Sequence, residues 1–289
     1  MISTLSLLQA AERDKYAVPA FNIFDESSLQ AVMAAAKEAR SPVIIQVSTR
    51  TVRMIGVDWM AQLFRNAAAQ AGVPAALHLD HCPDVDIIRQ VVKAEWSSLL
   101  FDASHLGFEE AVRQTAEVVR LAHANRVEVE SEVENIVGVE DGIGVARPTH
   151  SYSAERIVAA AREARVDFLA PHLGTAHGEY HGRPQIRPER AAEFRRLCAM
   201  PIVLHGGTGL TTEEFRSFID AGVSKINIST AVKRAYMQSA LAFLETASMT
   251  DEWEPGPLLR AVHDGVREAV APFFDIFGSA GKAESWPGH

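Results

Sequence analysis

Three histidines carry the most chemical information in this sequence: His81 in the segment LHLDHC, His177 in GTAHGEYHG and His205 in VLHGGTG. Each stands at or just past a short apolar run. Three neutral imidazoles with an open fourth position form a recognised catalytic zinc site, since ring nitrogens suit Zn2+ and the vacant position admits a substrate atom. A single such histidine is most often an ordinary polar loop residue, but three in matching places reverse that expectation. Asp80 immediately precedes His81, so its carboxyl would lie within reach of a substrate oxygen at the metal, and it is the candidate acid/base. Its plainer role would be to orient a histidine. Asp102 and Glu132 also close apolar runs and could complete a second cation position or hold the histidines in their tautomers. Glu130 shares the alternation of Glu132, and Glu134 follows, so one of these carboxylates can be merely solvated. His78 is expected to be a packed, hydrogen-bonded histidine, while His172 fits either role.

Glycines cluster around the same histidines. Gly174 and Gly178 flank His177, and Gly206, Gly207 and Gly209 follow His205 with Thr208 among them. Their backbone N–H groups, with the N-terminus of a helix beginning near Thr211, would cradle an anion, and Asn227, Ser229 and Thr230 would continue that cradle. Turns need glycine in any case, so each cluster alone says little. Glu140 and Asp141 lie in VGVEDGIGVARP, a glycine-punctuated segment expected to be a long mobile loop over the site, from which a carboxylate would reach substrate only on closure. An ordinary charged surface loop fits that composition equally well.

Positioning so many polar groups requires a repeated element. Apolar or β-branched runs at 17–22, 43–48, 75–80, 98–102, 127–132, 167–172, 201–205 and 223–228 are each followed by an Ala- and Leu-rich amphipathic stretch. Eight strand-then-helix units predict an α/β chain folded as a parallel (β/α)8 TIM barrel, and no G-x-G-x-x-G follows the first strand as a doubly wound sheet would need. Helical stretches near 231–248 and 258–273, separated by Pro255, Gly256 and Pro257, make a C-terminal helical extension. With no linker or low-complexity tract, residues 1–289 read as a single domain. A barrel builds its active site at the C-terminal ends of its strands. Here those ends carry Asn22, Ser48, Asp80 with His81, Asp102, Glu132, His172 running on to His177, His205 and Asn227 with Ser229.

Composition narrows the function further. The 289 residues are 47% hydrophobic and 22% charged, which suits a folded chain with a large core rather than disorder. Twenty-eight basic against 37 acidic residues give a net charge of −9, arguing against nucleic acid or anionic lipid as a partner. No run approaches the roughly 18 apolar residues of a membrane span, and two cysteines, Cys82 and Cys198, suit a reducing compartment, so a cytoplasmic location is expected.

Taken together, the segments YAVPAFN, HLDH, FDASHLGFEEAV, VEDG, GTAHG, VLHGGTGL, KINIST and FGSAGK resemble the class II, zinc-dependent ketose-bisphosphate aldolases, the group that includes fructose- and tagatose-bisphosphate aldolases. That resemblance implies zinc held by His81, His177 and His205, Asp80 as catalytic acid/base and Glu140 as a loop carboxylate moving a proton at the ketose carbon. It implies a dihydroxyacetone phosphate site at Gly178, Gly206, Gly207, Thr208, Asn227, Ser229 and Thr230, with Asn22 and Ser48 orienting substrate. It also admits a monovalent cation (Na+ or K+) near Gly178 and Gly206, and a homodimer or homotetramer. The departures are Cys82 where relatives have Gly, Glu134 closing a segment that is usually ELG, His172 where a small apolar residue is common, and His181 where many relatives carry a distal-phosphate lysine. Arg50, Arg53 and Arg183 could compensate for that lysine.

The expected reaction is reversible aldol cleavage of a ketose bisphosphate to dihydroxyacetone phosphate and an aldehyde, with a ketose 1-phosphate or modified sugar phosphate as the alternative. A Schiff-base route needs a lysine inside the barrel. Of the six lysines only Lys225 lies in a candidate strand. Two other readings stand beside this one: a zinc hydrolase or isomerase on the same histidines, and a noncatalytic barrel subunit supporting a partner aldolase.

Overall fold

A computed structural model describes residues 1–134, 136–140, 143–145, 151–178, 180 and 182–286, without the side chains of 137, 139, 140 and 143–145. The chain opens with helix α1 (Thr4–Asp14), whose first turn is capped by the Ser3 hydroxyl accepting from the Ser6 N–H. There follow β1 (Val18–Asn22), α2 (Glu26–Glu38), β2 (Val43–Ser48), α3 (Thr49–Ile55), α4 (Val57–Ala71), β3 (Ala75–Cys82), α5 (Val85–Lys93), β4 (Ser98–Asp102), α6 (Phe108–Ala124) and β5 (Glu128–Glu132). Two short strands, β6 (Val137–Glu140) and β7 (Ile143–Val145), precede α7 (Ala154–Ala164), β8 (Phe168–Leu169), β9 (Ala176–His177) and α8 (Pro188–Leu197). The chain ends with β10 (Ile202–Leu204), α9 (Thr212–Asp220), β11 (Val223–Ile228), α10 (Thr230–Thr250), α11 (Pro255–Ile276) and a final 3-10 turn at Lys282–Ser285.

Eight strands close a parallel barrel in the order β1-β11-β10-β8-β5-β4-β3-β2, the (β/α)8 TIM barrel expected from the sequence. Closure is made where β1 meets β11, with Val18 beside Lys225 and Phe21 beside Ile228. Helices cover the outside, so the strands are buried on both faces and read as apolar runs rather than clean alternations. Alternation decides what lies inside. Val18, Ala20, Ile44, Ala76, Phe168 and Val203 join Leu7, Leu8 and Ala11 of α1 in one core cluster, so α1 plugs the barrel floor. Farther along the same strands the inward positions turn polar. Gln46 pairs in register with His78, Ser48 with Asp80, and Asp102 with Glu132. The C-terminal extension packs α11 against α2 and α10, with Phe21 and Phe274 in edge contact at 5.6 Å.

Several expectations needed correction. The sixth strand is only Phe168–Leu169 instead of 167–172, because Pro171 has no N–H to continue the ladder. The interval between β2 and β3 holds two helices, α3 and α4, rather than one. The segment taken as a long loop contains an antiparallel pair, β6 with β7, and β6 also pairs in parallel with β9, aligning Gly138 with His177. A Cβ on Gly138 would stand 2.1 Å from the His177 carbonyl oxygen, so only glycine permits that approach. No helix among the described residues is long and apolar enough to cross a membrane.

Candidate active site

His81 reaches the site through a local distortion. Successive residues of a strand point to opposite faces, so a regular strand could not present both Asp80 and His81 to the barrel mouth. The β3–β4 register shifts between Leu79 and Cys82, and His81 adopts a positive φ of 45°. This bulge brings both side chains to the same side, a strained conformation of the kind held at functional sites. His177 arrives on β9, outside the barrel sheet, and His205 follows β10 directly. The two approach along backbones so close that a Cβ on Gly206, at φ 67°, would lie 2.3 Å from the Ala176 carbonyl oxygen. Thr175 donates to the His205 carbonyl at 2.7 Å, and the Tyr180 hydroxyl donates to that of Gly206.

The three rings converge, with centroids 5.0 Å apart for His81 and His177, 5.0 Å for His81 and His205, and 5.7 Å for His177 and His205. Glu132 joins them: one donor atom from each of these four buried residues lies within 4.8 Å of every other. The orphaned atoms point to a cation. His81 Nε2, His205 Nδ1 and Glu132 Oε2 are buried without a hydrogen bond, and the last two face each other at 3.2 Å. Buried polar atoms are ordinarily satisfied, so this concentration of unsatisfied nitrogen and oxygen donors fits a metal ion.

The surrounding charges shape the cluster. Burial opposes charge on His205, yet Glu130 and Glu132 outweigh it and hold its pKa up at about 9. Burial likewise acts against His81, but Asp80, Asp102 and Glu132 raise its pKa well above the usual value. His177 is pushed the other way, by burial and by the two neighbouring histidines. Burial lifts the Glu132 carboxyl above its ordinary range. A cation in place of these protons would relieve the same carboxylates.

Around the cluster the expected residues fall into distinct roles. Asp102 Oδ2 lies 3.1 Å from His81 Nδ1, which fixes that ring with Nε2 inward, and its other oxygen accepts from the Ser104 backbone and hydroxyl. Asp80 Oδ2 accepts from Asn22 at 2.8 Å while Gln46 donates to Asn22 at 2.9 Å, leaving Asp80 Oδ1 buried and bare. Ser48 caps α3 by accepting from the Thr51 N–H. On β11 and just beyond, Asn227 Oδ1 and Ser229 Oγ are buried without partners.

The anion cradle needs one revision. The helix starting at Thr212 closes its own N-terminus with a capping box, Thr211 accepting from the Glu214 N–H and Glu214 from that of Thr211. It presents a carboxylate there, not a vacancy. The neighbouring N-terminus of α10, at Thr230, receives no cap from Ser229, and the Thr208 hydroxyl accepts from the Ala231 N–H at its first turn. Asn227, Ser229 and Thr230 gather at that end.

Other expectations resolve unevenly. His78 is the packed barrel histidine foreseen, wholly buried with Nδ1 at 2.7 Å from the Ser98 hydroxyl. None of the three carboxylates at and just past the end of β5 is solvated: Glu130, Glu132 and Glu134 are all buried. Glu134 accepts from Arg190, from the Tyr152 N–H and from the His172 N–H. Arg53 and Arg183 are engaged in surface ion pairs with Asp84 and Glu214. Asp141, His181 and the side chain of Glu140 lie outside the described residues. Gln46 and the Glu130–Lys225 pair were not anticipated, although both break an apolar strand at an inward position, which is the signal that could have found them.

Comparison with known proteins agrees with this geometry. The model of the class-II fructose-bisphosphate aldolase family matches residues 2–282. The chain belongs to that family. Class-II aldolases are carbon–carbon lyases that depend on a metal ion, and the buried histidine and glutamate cluster supplies a donor set for one. A fructose-bisphosphate aldolase of Geobacillus stearothermophilus is 36% identical over 98% of this chain and 99% of its own. Among solved structures, a Coccidioides immitis protein assigned as a fructose-1,6-bisphosphate aldolase superposes with a TM-score of 0.88 at 29% identity, covering 98% of both chains. The YdjI aldolase of Escherichia coli K12 does so with a TM-score of 0.84 at 29% identity, covering 98% of this chain and all of its own.

Proposed function

We propose that this class-II aldolase reversibly cleaves a ketose 1,6-bisphosphate, fructose or tagatose, to dihydroxyacetone phosphate and an aldehyde, using zinc held by His81, His177 and His205. The observation that carries the reading is the bare Asp80 Oδ1 beside a cage of orphaned imidazole and carboxylate donors. Zinc in that cage supplies a Lewis acid for the substrate carbonyl. Asp80 takes the proton from the hydroxyl that becomes the aldehyde oxygen as the carbon–carbon bond breaks, and returns it in the condensation direction. Its second oxygen is tied to Asn22, which fixes the carboxylate's aim. Glu140 handles the proton at the ketose carbon left by cleavage. Asn227, Ser229, Thr230, Gly206, Gly207, Thr208 and Gly178 hold the phosphate at the N-terminus of α10, where backbone N–H groups and the helix dipole favour an anion. Asn22 and Ser48 orient the sugar, and a monovalent cation, Na+ or K+, belongs near Gly178 and Gly206.

Lys225 supports no Schiff-base route, being fully buried beneath the cage in an ion pair with Glu130. A hydrolase or isomerase of unphosphorylated substrates on the same histidines would have no use for a helix N-terminus beside Asn227 Oδ1 and Ser229 Oγ, both buried without a hydrogen bond. The engagement of Arg53 and Arg183 with surface carboxylates gives the ketose 1-phosphate alternative its main support, since it removes two candidate partners for a second phosphate. Measuring kcat/KM for fructose 1,6-bisphosphate, tagatose 1,6-bisphosphate and fructose 1-phosphate decides: a bisphosphate is expected to be preferred. Preference for the monophosphate would sink that assignment, and full activity after chelation would sink the metal.

A further inference from the structure

Beneath the cage lies a second layer of charge that the reaction does not touch. Glu130 and Lys225 are both fully buried, on β5 and β11, with Lys225 Nζ 2.6 Å from Glu130 Oε2. The other carboxylate oxygen, Oε1, lies 2.7 Å from His205 Nε2. His78 Nε2 stands 3.7 Å from the same carboxylate, and its Nδ1 leads through Ser98 to the Thr4 hydroxyl of the floor helix, both links at 2.7 Å. A buried ion pair is a poor device for stability alone, because desolvation takes back most of the attraction and an apolar pair of equal volume often serves as well. Its retention at the centre of the barrel calls for another reason.

His205 gives that reason. Its Nε2 faces a carboxylate, which only accepts hydrogen bonds, so Nε2 carries the proton and Nδ1 is the atom offered to the cage beside Glu132. His81 is held in the opposite sense, Nδ1 toward Asp102 and Nε2 inward. Two ligands of one cage thus use different ring nitrogens, each chosen by the carboxylate behind it. Asp102 needs no cation at its back, since Ser104 satisfies its second oxygen. Glu130, in the dry interior, has Lys225 instead.

We propose that Glu130 and Lys225 are positioning residues for the metal site: Lys225 anchors Glu130, and Glu130 fixes the ring orientation and tautomer of His205 so that Nδ1 is available as a ligand. This rests on the metal reading given above. Outer partners of metal-bound histidines typically contribute about 10–100-fold in metal affinity. Zinc binding by the metal-free chain is measured by competition with a chromophoric chelator, alongside the thermal unfolding of the same metal-free samples.

Glu130→Gln is expected to weaken zinc binding about 10–100-fold. Lys225→Met leaves a lone buried carboxylate and could fail to fold, so Glu130→Leu with Lys225→Met, which removes both charges together, is the second variant. It is expected to fold and to show the same loss of zinc affinity. A purely structural pair would lower the unfolding temperature and leave zinc affinity alone. Zinc affinity within about twofold of the parent in any folded variant would therefore overturn the proposal. A parent chain that takes up no zinc would overturn the metal reading, and so separates the two failures.

Discussion

Asp80 combines two states that a catalytic carboxylate needs, one oxygen anchored and one bare. Asn22 holds Oδ2 while Gln46 steadies Asn22, and no group among the described residues bonds to Oδ1. Asp80→Asn keeps the shape and the Asn22 contact but removes the base, so turnover is expected to fall about 10²–10⁴-fold with zinc content unchanged. Metal analysis beside steady-state kinetics checks this, and loss of zinc would make Asp80 a ligand-orienting group instead. Glu140→Ala is expected to depress kcat more than it raises KM, because its proton transfer follows binding. An unchanged kcat with a raised KM would remove it from the chemistry. At this scale the sequence was most legible where neighbours in sequence act together, as in Asp80 with His81. It was least legible where one residue's role depends on a distant partner. Glu132 read as an outer group because nothing in its own segment reveals that His205 Nδ1 comes to 3.2 Å.

Among the elements, the barrel strands announced themselves because both their faces are buried, while the small sheet of β6, β7 and β9 did not. Its pairing depends on glycines that permit a close approach by a segment from elsewhere in the chain, and glycines in a run look like a loop. The carboxylate of Glu134 shows the same limit. Its sequence context left it open to solvent, yet it fastens three pieces of chain, accepting from Arg190 on α8, from Tyr152 before α7 and from His172 after β8. Arg190 also donates to the Tyr152 carbonyl at 3.0 Å. Removing the cation would leave Glu134 charged in an almost fully buried place, so Arg190→Ala is expected to cost roughly 3–5 kcal/mol in urea unfolding. A cost below about 1 kcal/mol would mean that water reaches Glu134 readily and that the clasp contributes little.

On the scale of the whole molecule, the most conspicuous surface is α10. Of its 21 residues only Val232 and Ala247 are buried, and Met237, Leu241 and Leu244 stand exposed along it. A homodimer or homotetramer of the kind expected from the sequence would bury such a stripe. Sedimentation equilibrium is expected to find a dimer or tetramer that Leu241→Glu dissociates; a monomeric parent chain, or a variant that stays assembled, would rule this surface out.

The closing seam divides the site in a way that matters before any substrate arrives. The cage and its outer carboxylates hang on one continuous arc, β3, β4, β5, β8 and β10, together with β9. Asn22, Ser48 and Asn227 belong to the opposite arc of β1, β2 and β11, which contains the seam. That seam joins Val18 to Lys225, 207 residues apart in a chain of 289, a strongly non-local pairing. The candidate metal donors therefore sit on strands that never cross the joint, whereas Asn22 and Asn227 come to one mouth only because the two ends of the barrel meet there.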